Sequence, residues 1–303
     1  LWIGAGTGVN QYDFRNERFI RYETPKMPVY TFYEDKDGAI WIATHTSIGK
    51  INEQAFTAEM FTDPQCQFDA VSVILEDSRD KLWAGTGEGL VNINHNHWNL
   101  IPLPDDKKVN CICLDPQGIF MIGTNAGFVF FDPLTQDFLT LPAPLSSNPS
   151  LNKAYIHFIK EIAPLKYLIG TSSEGLYLYD ALRHTLEQNP IEYTEKLNSQ
   201  QPLCCEVDNQ GNVWIGSFDK GFAVYSNKQP IFNNNTNLNN TRKNIFTTRV
   251  IEDRSKHLWI GTRYLGIYHY NVHRTRTRNY DHTNLAALKE NNNHEEELFI
   301  DTQ

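Results

Sequence analysis

The sequence predicts an all-β fold, a seven-bladed β-propeller of four-stranded antiparallel blades, and three observations carry that expectation. The tetrad Leu1-Trp2-Ile3-Gly4 returns as Ile40-Trp41-Ile42-Ala43, Leu82-Trp83-Ala84-Gly85, Phe120-Met121-Ile122-Gly123, Tyr167-Leu168-Ile169-Gly170, Val213-Trp214-Ile215-Gly216 and Leu258-Trp259-Ile260-Gly261, with starts 38 to 47 residues apart. That period suits propeller blades or stacked repeats. Each tetrad also sits among short runs rich in β-branched and aromatic residues, punctuated by Gly and Asp turns, which read as strands. Finally, the chain starts on a tetrad and ends on 297–303, Glu-Leu-Phe-Ile-Asp-Thr-Gln, which looks like the run that precedes a tetrad. That run is expected to complete the first blade and seal the sheet edge. A piece cut from a longer array is compatible with the same reading.

Taken in chain order, one unit has four strands, a to d. Strand a is an apolar run closed by an acidic pair, as in Val71-Ser72-Val73-Ile74-Leu75-Glu76-Asp77; Glu34-Asp35 and Glu252-Asp253 repeat the pair, and weaker copies keep only Asp115 or Asp208. A polar turn leads to strand b, the tetrad. Side chains alternate along a strand, so Trp and Gly face one side while Leu and Ile face the other. Both faces are apolar, which predicts sheet packed against each. The tryptophans are expected to wedge between blades, and the small residue two places on admits the neighbouring backbone. Met121 and Leu168 take the tryptophan's place in two blades. A glycine turn such as Gly87-Glu88-Gly89 opens strand c, and a run such as Trp98-Asn99-Leu100-Ile101 makes strand d. The repeats run approximately over 1–28, 29–68, 69–108, 109–153, 154–200, 201–245 and 246–281, with 295–303 as a partial repeat of one propeller domain.

Composition narrows the function. The net charge of −9 and the pI near 5.6 argue against a nucleic-acid surface. No apolar stretch approaches the roughly 20 residues of a membrane span, so membrane attachment is expected only through other parts of a parent protein. Five cysteines, four of them (Cys111, Cys113, Cys204, Cys205) on inner strands, read as small buried thiols. There is no matched pair of Cys-x-x-Cys motifs for zinc. The glycines of Gly4-Ala5-Gly6-Thr7-Gly8 belong to hairpin geometry, because a strand follows where a dinucleotide site needs a helix. His95-Asn96-His97, and His269 with His273, read as surface histidines rather than ligands. The recurring Glu-Asp pairs fit strand termination better than acid/base catalysis. No cofactor and no metal are expected.

Val250-Ile251-Glu252-Asp253, then Leu258-Trp259-Ile260-Gly261-Thr262, then Gly266-Ile267-Tyr268-His269-Tyr270 resembles the two-component regulator propeller repeat, and the resemblance recurs along essentially the whole chain. It implies the periplasmic sensor region of a hybrid two-component histidine kinase that detects oligosaccharides and controls glycan-utilisation genes. The kinase, receiver and DNA-binding modules of such proteins are not in this sequence. The buried thiols depart mildly from what an oxidising periplasm selects.

Successive strands are antiparallel, so the b–c turns and d–a connections are expected on one edge of the blades. The long connections there are Leu141 to Leu151, Asn189 to Pro202 and Asn233 to Ile245. The facing turns contribute His45, Asn125, Ser173, Phe218, Asp219, Lys220, Arg263 and Tyr264. A sugar site needs hydrogen-bonding side chains, an aromatic face and, for an acidic ligand, Arg or Lys. His45, Asn125, Phe218, Lys220, Arg263, Tyr264 and Arg242 form the candidate binding set, with an oligosaccharide, neutral or acidic, as the expected partner. Two rivals stand beside this reading: a platform that docks a neighbouring propeller or dimer mate, and a propeller lyase or glycosidase.

Overall fold

The computed structural model describes residues 1–6, 8–16, 18–94, 97–190, 201–225, 246–263, 265–271, 273, 276–280 and 297–299. The fold is a seven-bladed β-propeller: the described residues form seven antiparallel sheets, six of four strands and one of three, joined by a single short α-helix at Ala143–Ser146 and two 3-10 turns. Two compact units divide the blades. Residues 1–87, 91–101 and 248–303 hold blades 7, 1, 2 and 3, while 88–90 and 102–247 hold blades 4, 5 and 6.

In the first unit, blade 1 has strands b, c and d at Trp2–Ala5, Gly8–Asp13 and Arg18–Arg21, and its strand a is the C-terminal Glu297–Phe299. That last strand pairs antiparallel with strand b, Trp2 opposite Phe299 and Gly4 opposite Glu297, as the terminal run predicted. Blade 2 comprises Thr31–Glu34, Ile40–Ala43, Ile48–Asn52 and Thr57–Phe61, and blade 3 comprises Val73–Glu76, Leu82–Gly85, Leu90–Asn94 and His97–Ile101. Blade 7 comprises Thr247–Glu252, Leu258–Thr262, Gly266–Tyr270 and Arg276–Tyr280. In the second unit, blade 4 comprises Val109–Leu114, Phe120–Thr124, Gly127–Asp132 and Asp137–Leu139; blade 5 comprises Ile156–Ala163, Lys166–Thr171, Leu176–Asp180 and Thr185–Gln188. Blade 6 shows Pro202–Val207, Val213–Ser217 and Phe222–Tyr225.

The tetrads pack as side-chain alternation requires. Trp2 of blade 1 lies against Phe32, Ile40 and Ile42 of blade 2, and Trp259 of blade 7 against Leu1, Ile3 and Tyr12 of blade 1. Met121 of blade 4 meets Tyr167 and Ile169 of blade 5, and Leu168 of blade 5 meets Val213 and Ile215 of blade 6. The second residue of one tetrad therefore faces the first and third of the next. The small fourth residue is needed where the neighbour comes closest: a Cβ on Gly123 would stand 2.6 Å from both Cys111 Sγ and Ile156 Cγ2. Trp41 is the exception, only half-buried, with Lys50 Nζ 5.3 Å from its ring centre.

The acidic pair has a second use beyond ending strand a. Asp77 accepts the turn amides of Arg79 and Lys81 on Oδ1, and its Oδ2 accepts the Trp83 indole N–H at 2.9 Å. The same indole bond forms from Trp41 to Asp35, Trp214 to Asp208 and Trp259 to Asp253, at 2.8 to 2.9 Å. A buried indole keeps one donor that needs a partner. The Asp six residues upstream supplies it.

Candidate functional site

The edge formed by b–c turns and d–a connections is a real structural feature within each unit. Backbone bonds tie the two kinds of loop together: Gly87 N–H to Asp69 C=O in blade 3, Asn125 N–H to Lys108 C=O in blade 4, Ser172 N–H to Tyr155 C=O in blade 5, and Phe218 N–H to Gln201 C=O in blade 6. The turn glycines permit this contact. Gly127 holds a left-handed φ of 82°, and a Cβ there would lie 2.5 Å from the Asn152 carbonyl oxygen.

The predicted residues fall on this edge with different roles. In the first unit, His45 is exposed in the b–c turn of blade 2, with its ring centre 6.4 Å from that of Tyr30, itself exposed in the preceding connection. Arg263 is half-buried in the b–c turn of blade 7. In the second unit, Phe218 is 45% exposed and packs its ring 4.8 Å from Phe246. Lys220 is exposed beside it, its Nζ 3.8 Å from the Asp219 carboxylate, while its amide donates to Ser217 Oγ. Asn125 serves the loops themselves: its Oδ1 accepts the Lys108 amide at 2.8 Å. Tyr264, Arg242 and the connection from Asn233 to Ile245 lie outside the described residues, as does most of the connection from Asn189 to Pro202.

Sequence reading missed two aromatic residues of this edge, Tyr30 and Tyr155, which are 37% and 41% exposed. Both sit in d–a connections, just before strand a, where nothing in the repeat marks them. It also missed a recess of about 330 Å³ between the loops of blades 2 and 3, lined by Thr46, Thr62, Asp63, Pro64, Cys66, Gln67, Phe68 and Trp98. Trp98 and Phe68 stack there at 5.6 Å. Asp63 Oδ2 accepts the Trp98 amide at 2.9 Å and lies 3.5 Å from His97 Nδ1, and the amides of Trp98 and Gln65 hold the carboxyl below its ordinary range. Cys66 goes the other way, its thiol pushed up by burial, so it is a lining group rather than a nucleophile. The one available signal was that Trp98 is the only tryptophan outside a tetrad.

The remaining shifted groups lie elsewhere. Burial raises Glu76 and pushes Tyr33, whose hydroxyl donates to Glu76 Oε2 at 3.4 Å, up to about 12. These belong to the a–b edge of blades 2 and 3, where Glu76 also accepts the Lys36 amide and Lys36 Nζ reaches Asp80 at 2.7 Å. They clip two blades together. Burial likewise pushes Cys111 to about 12 and Cys113 to about 11, which makes them inert thiols. His269 meets His257 rather than His273, whose exposed position by Asn271 points to turn formation.

A family model described as a two-component regulator propeller matches residues 25–46, the entry to blade 2. No curated protein matches the chain. Among solved structures, PorZ, a surface component of the type-IX secretion system of Porphyromonas gingivalis, is 16% identical with a TM-score of 0.60, over 84% of this chain and 42% of that one. Virginiamycin B lyase from Staphylococcus aureus is 12% identical with a TM-score of 0.60, over 86% of both chains. A protein described as the extracellular domain of a hybrid two-component system, BT3049 from B. thetaiotaomicron, is 17% identical with a TM-score of 0.40, over 93% of this chain and 44% of that one. The chain thus spans less than half the length of PorZ and of BT3049. The similarity to PorZ and the lyase establishes the propeller fold and leaves the activity open.

Proposed function

We infer that this chain, which carries the two-component regulator propeller repeat at residues 25–46, is a non-catalytic, extracytoplasmic sensing propeller of a two-component signalling protein. Its ligand is read as an oligosaccharide taken up on the edge of b–c turns and d–a connections. The observation that supports this most is chemical. In the first unit that edge carries the exposed ring of Tyr30 with His45 and Arg263 among its turn residues, and in the second unit it carries the exposed rings of Tyr155 and Phe218 with Lys220 among its turn residues. Apolar sugar faces stack on such rings, and hydroxyl or carboxylate groups take the polar partners. A catalytic reading would require a convergent acid and base at that edge. Among the described residues the raised carboxyl, Glu76, sits on the opposite edge in an interblade clip.

Calorimetric titration of the purified chain with neutral and acidic oligosaccharides tests this reading. Binding that weakens in Phe218→Ala or Arg263→Ala supports it, and a loss confined to acidic sugars in Arg263→Ala assigns the cation's role. Silence towards every sugar moves the reading to docking of a neighbouring propeller or dimer mate through the same exposed aromatics. Turnover of a glycan moves it to an enzyme.

A further inference from the structure

Blade 7 departs from its siblings at the Asp–Trp link. In blade 2, Asp35 Oδ2 receives the Trp41 indole and also lies 3.7 Å from Lys50 Nζ. Lys50 is the residue of strand c opposite Trp41, so that blade carries a built-in cation against its half-buried carboxylate. In blade 7 the residue opposite Trp259 is His269, and the residue before the tetrad, alanine at Ala39 in blade 2, is His257. His269 Nε2 and His257 Nδ1 stand 3.0 Å apart. Together with a carboxylate oxygen of the buried Asp253 they form three potential ligand atoms within 4.8 Å of one another.

Two imidazole nitrogens at 3.0 Å share either one proton or one metal ion. Zn–N bonds of about 2.0–2.1 Å would place the two nitrogens at roughly 95° around an ion, so opening their separation by about 0.3 Å reaches the roughly 109° of a tetrahedral site. The surroundings are built for ligation. The Trp259 ring stacks on His269 at 4.2 Å and 25°, fixing its plane. Asp253 accepts the Trp259 indole N–H on Oδ2 and the His257 backbone amide on Oδ1. Each carboxylate oxygen keeps a second lone pair for an ion.

We propose that Asp253, His257 and His269 bind a divalent transition-metal ion of the zinc type, clipping the a–b turn of blade 7 to strand c where blade 2 uses a lysine. Two imidazoles and a carboxylate suit Zn²⁺, Ni²⁺ or Cu²⁺ and do not suit Ca²⁺ or Mg²⁺.

The other blades supply the test variants. Asn212 occupies the place of His257 in blade 6 and bonds its own aspartate, and Lys50 occupies the place of His269 in blade 2. His257→Asn and His269→Lys are therefore substitutions the fold already accepts. The chelator-treated chain is titrated with Zn²⁺ by calorimetry, and with Cu²⁺ under electron paramagnetic resonance. The expected result is one Zn²⁺ per chain, affinity at least about 100-fold weaker in each variant, and Cu²⁺ hyperfine structure from two nitrogens that collapses in both. Circular dichroism of the metal-free variants should match the parent. No zinc uptake by the parent, or uptake unchanged in both folded variants, overturns the proposal and leaves a shared proton between the rings.

Discussion

At the scale of single residues, the repeat hides a division of labour that sequence alone shows only in part. The tryptophans and the acidic pairs are both plain in the sequence, but the bond between them is not. It depends on a turn that folds Asp77 back over six residues to meet the Trp83 indole. Blade 4, which lacks the tryptophan, keeps the turn alone: Asp115 accepts the amides of Gln117 and Ile119. A second residue-scale effect escaped the sequence altogether. His157, on strand a of blade 5, is held down to about 4 by burial, with the Tyr155 ring 4.9 Å away. The ordinary histidine value in an unfolded chain is about 6.5. The folded value is the lower one, so the unfolded chain binds the proton first. The contribution of neutral His157 to stability is thus whole above pH 6.5 and is lost as pH falls towards 4. Urea midpoints measured from pH 7 to pH 4 should fall less steeply in His157→Gln than in the parent. Parallel curves would show that this imidazole is solvated.

At the scale of elements, strands were legible because their two requirements, alternating apolar faces and Gly or Asp turns, are written locally. Blade order followed from the period, and the tetrad's faces followed from the pleat. The d–a connections were not legible, since their residues answer to contacts with the neighbouring blade rather than to any period; Tyr30, Tyr155 and the recess at Asp63 all lie there. The glycines sit between these cases. The sequence shows a small residue in the tetrad, but only the packing shows what presses on it. Gly123 is enclosed by Cys111 and Ile156, two side chains on strands a of adjacent blades. Gly123→Ala should therefore destabilise the chain by about 1–3 kcal/mol, read as a lower urea midpoint at unchanged slope. Adding Cys111→Ala, which removes the Sγ that would stand 2.6 Å from the new Cβ, should recover part of the loss. An Ala variant as stable as the parent would mean that the strands separate without cost.

At the scale of the whole molecule, the first and last described strands belong to one sheet. Strand b of blade 1 has Gly8–Asp13 on one side and Glu297–Phe299 on the other, and Trp2, Ile3 and Gly4 each have a partner in the latter. Trp2 and Ile3 are fully buried, and Trp2 packs onto blade 2 while Ile3 packs with Trp259 of blade 7. A chain shortened to end at residue 296 would leave strand b as an open edge in the middle of this packing. Unpaired N–H and C=O groups along such an edge recruit other strands, including those of a second copy. The expected outcome is a lower thermal midpoint together with concentration-dependent association in light scattering. A synthetic peptide spanning 295–303 should reverse both by adding the missing strand back to the sheet. If the shortened chain melts like the parent and stays monomeric, the pairing contributes nothing and blade 1 holds on three strands alone. A melting loss that the peptide does not repair would place the effect in residues beyond the pairing itself.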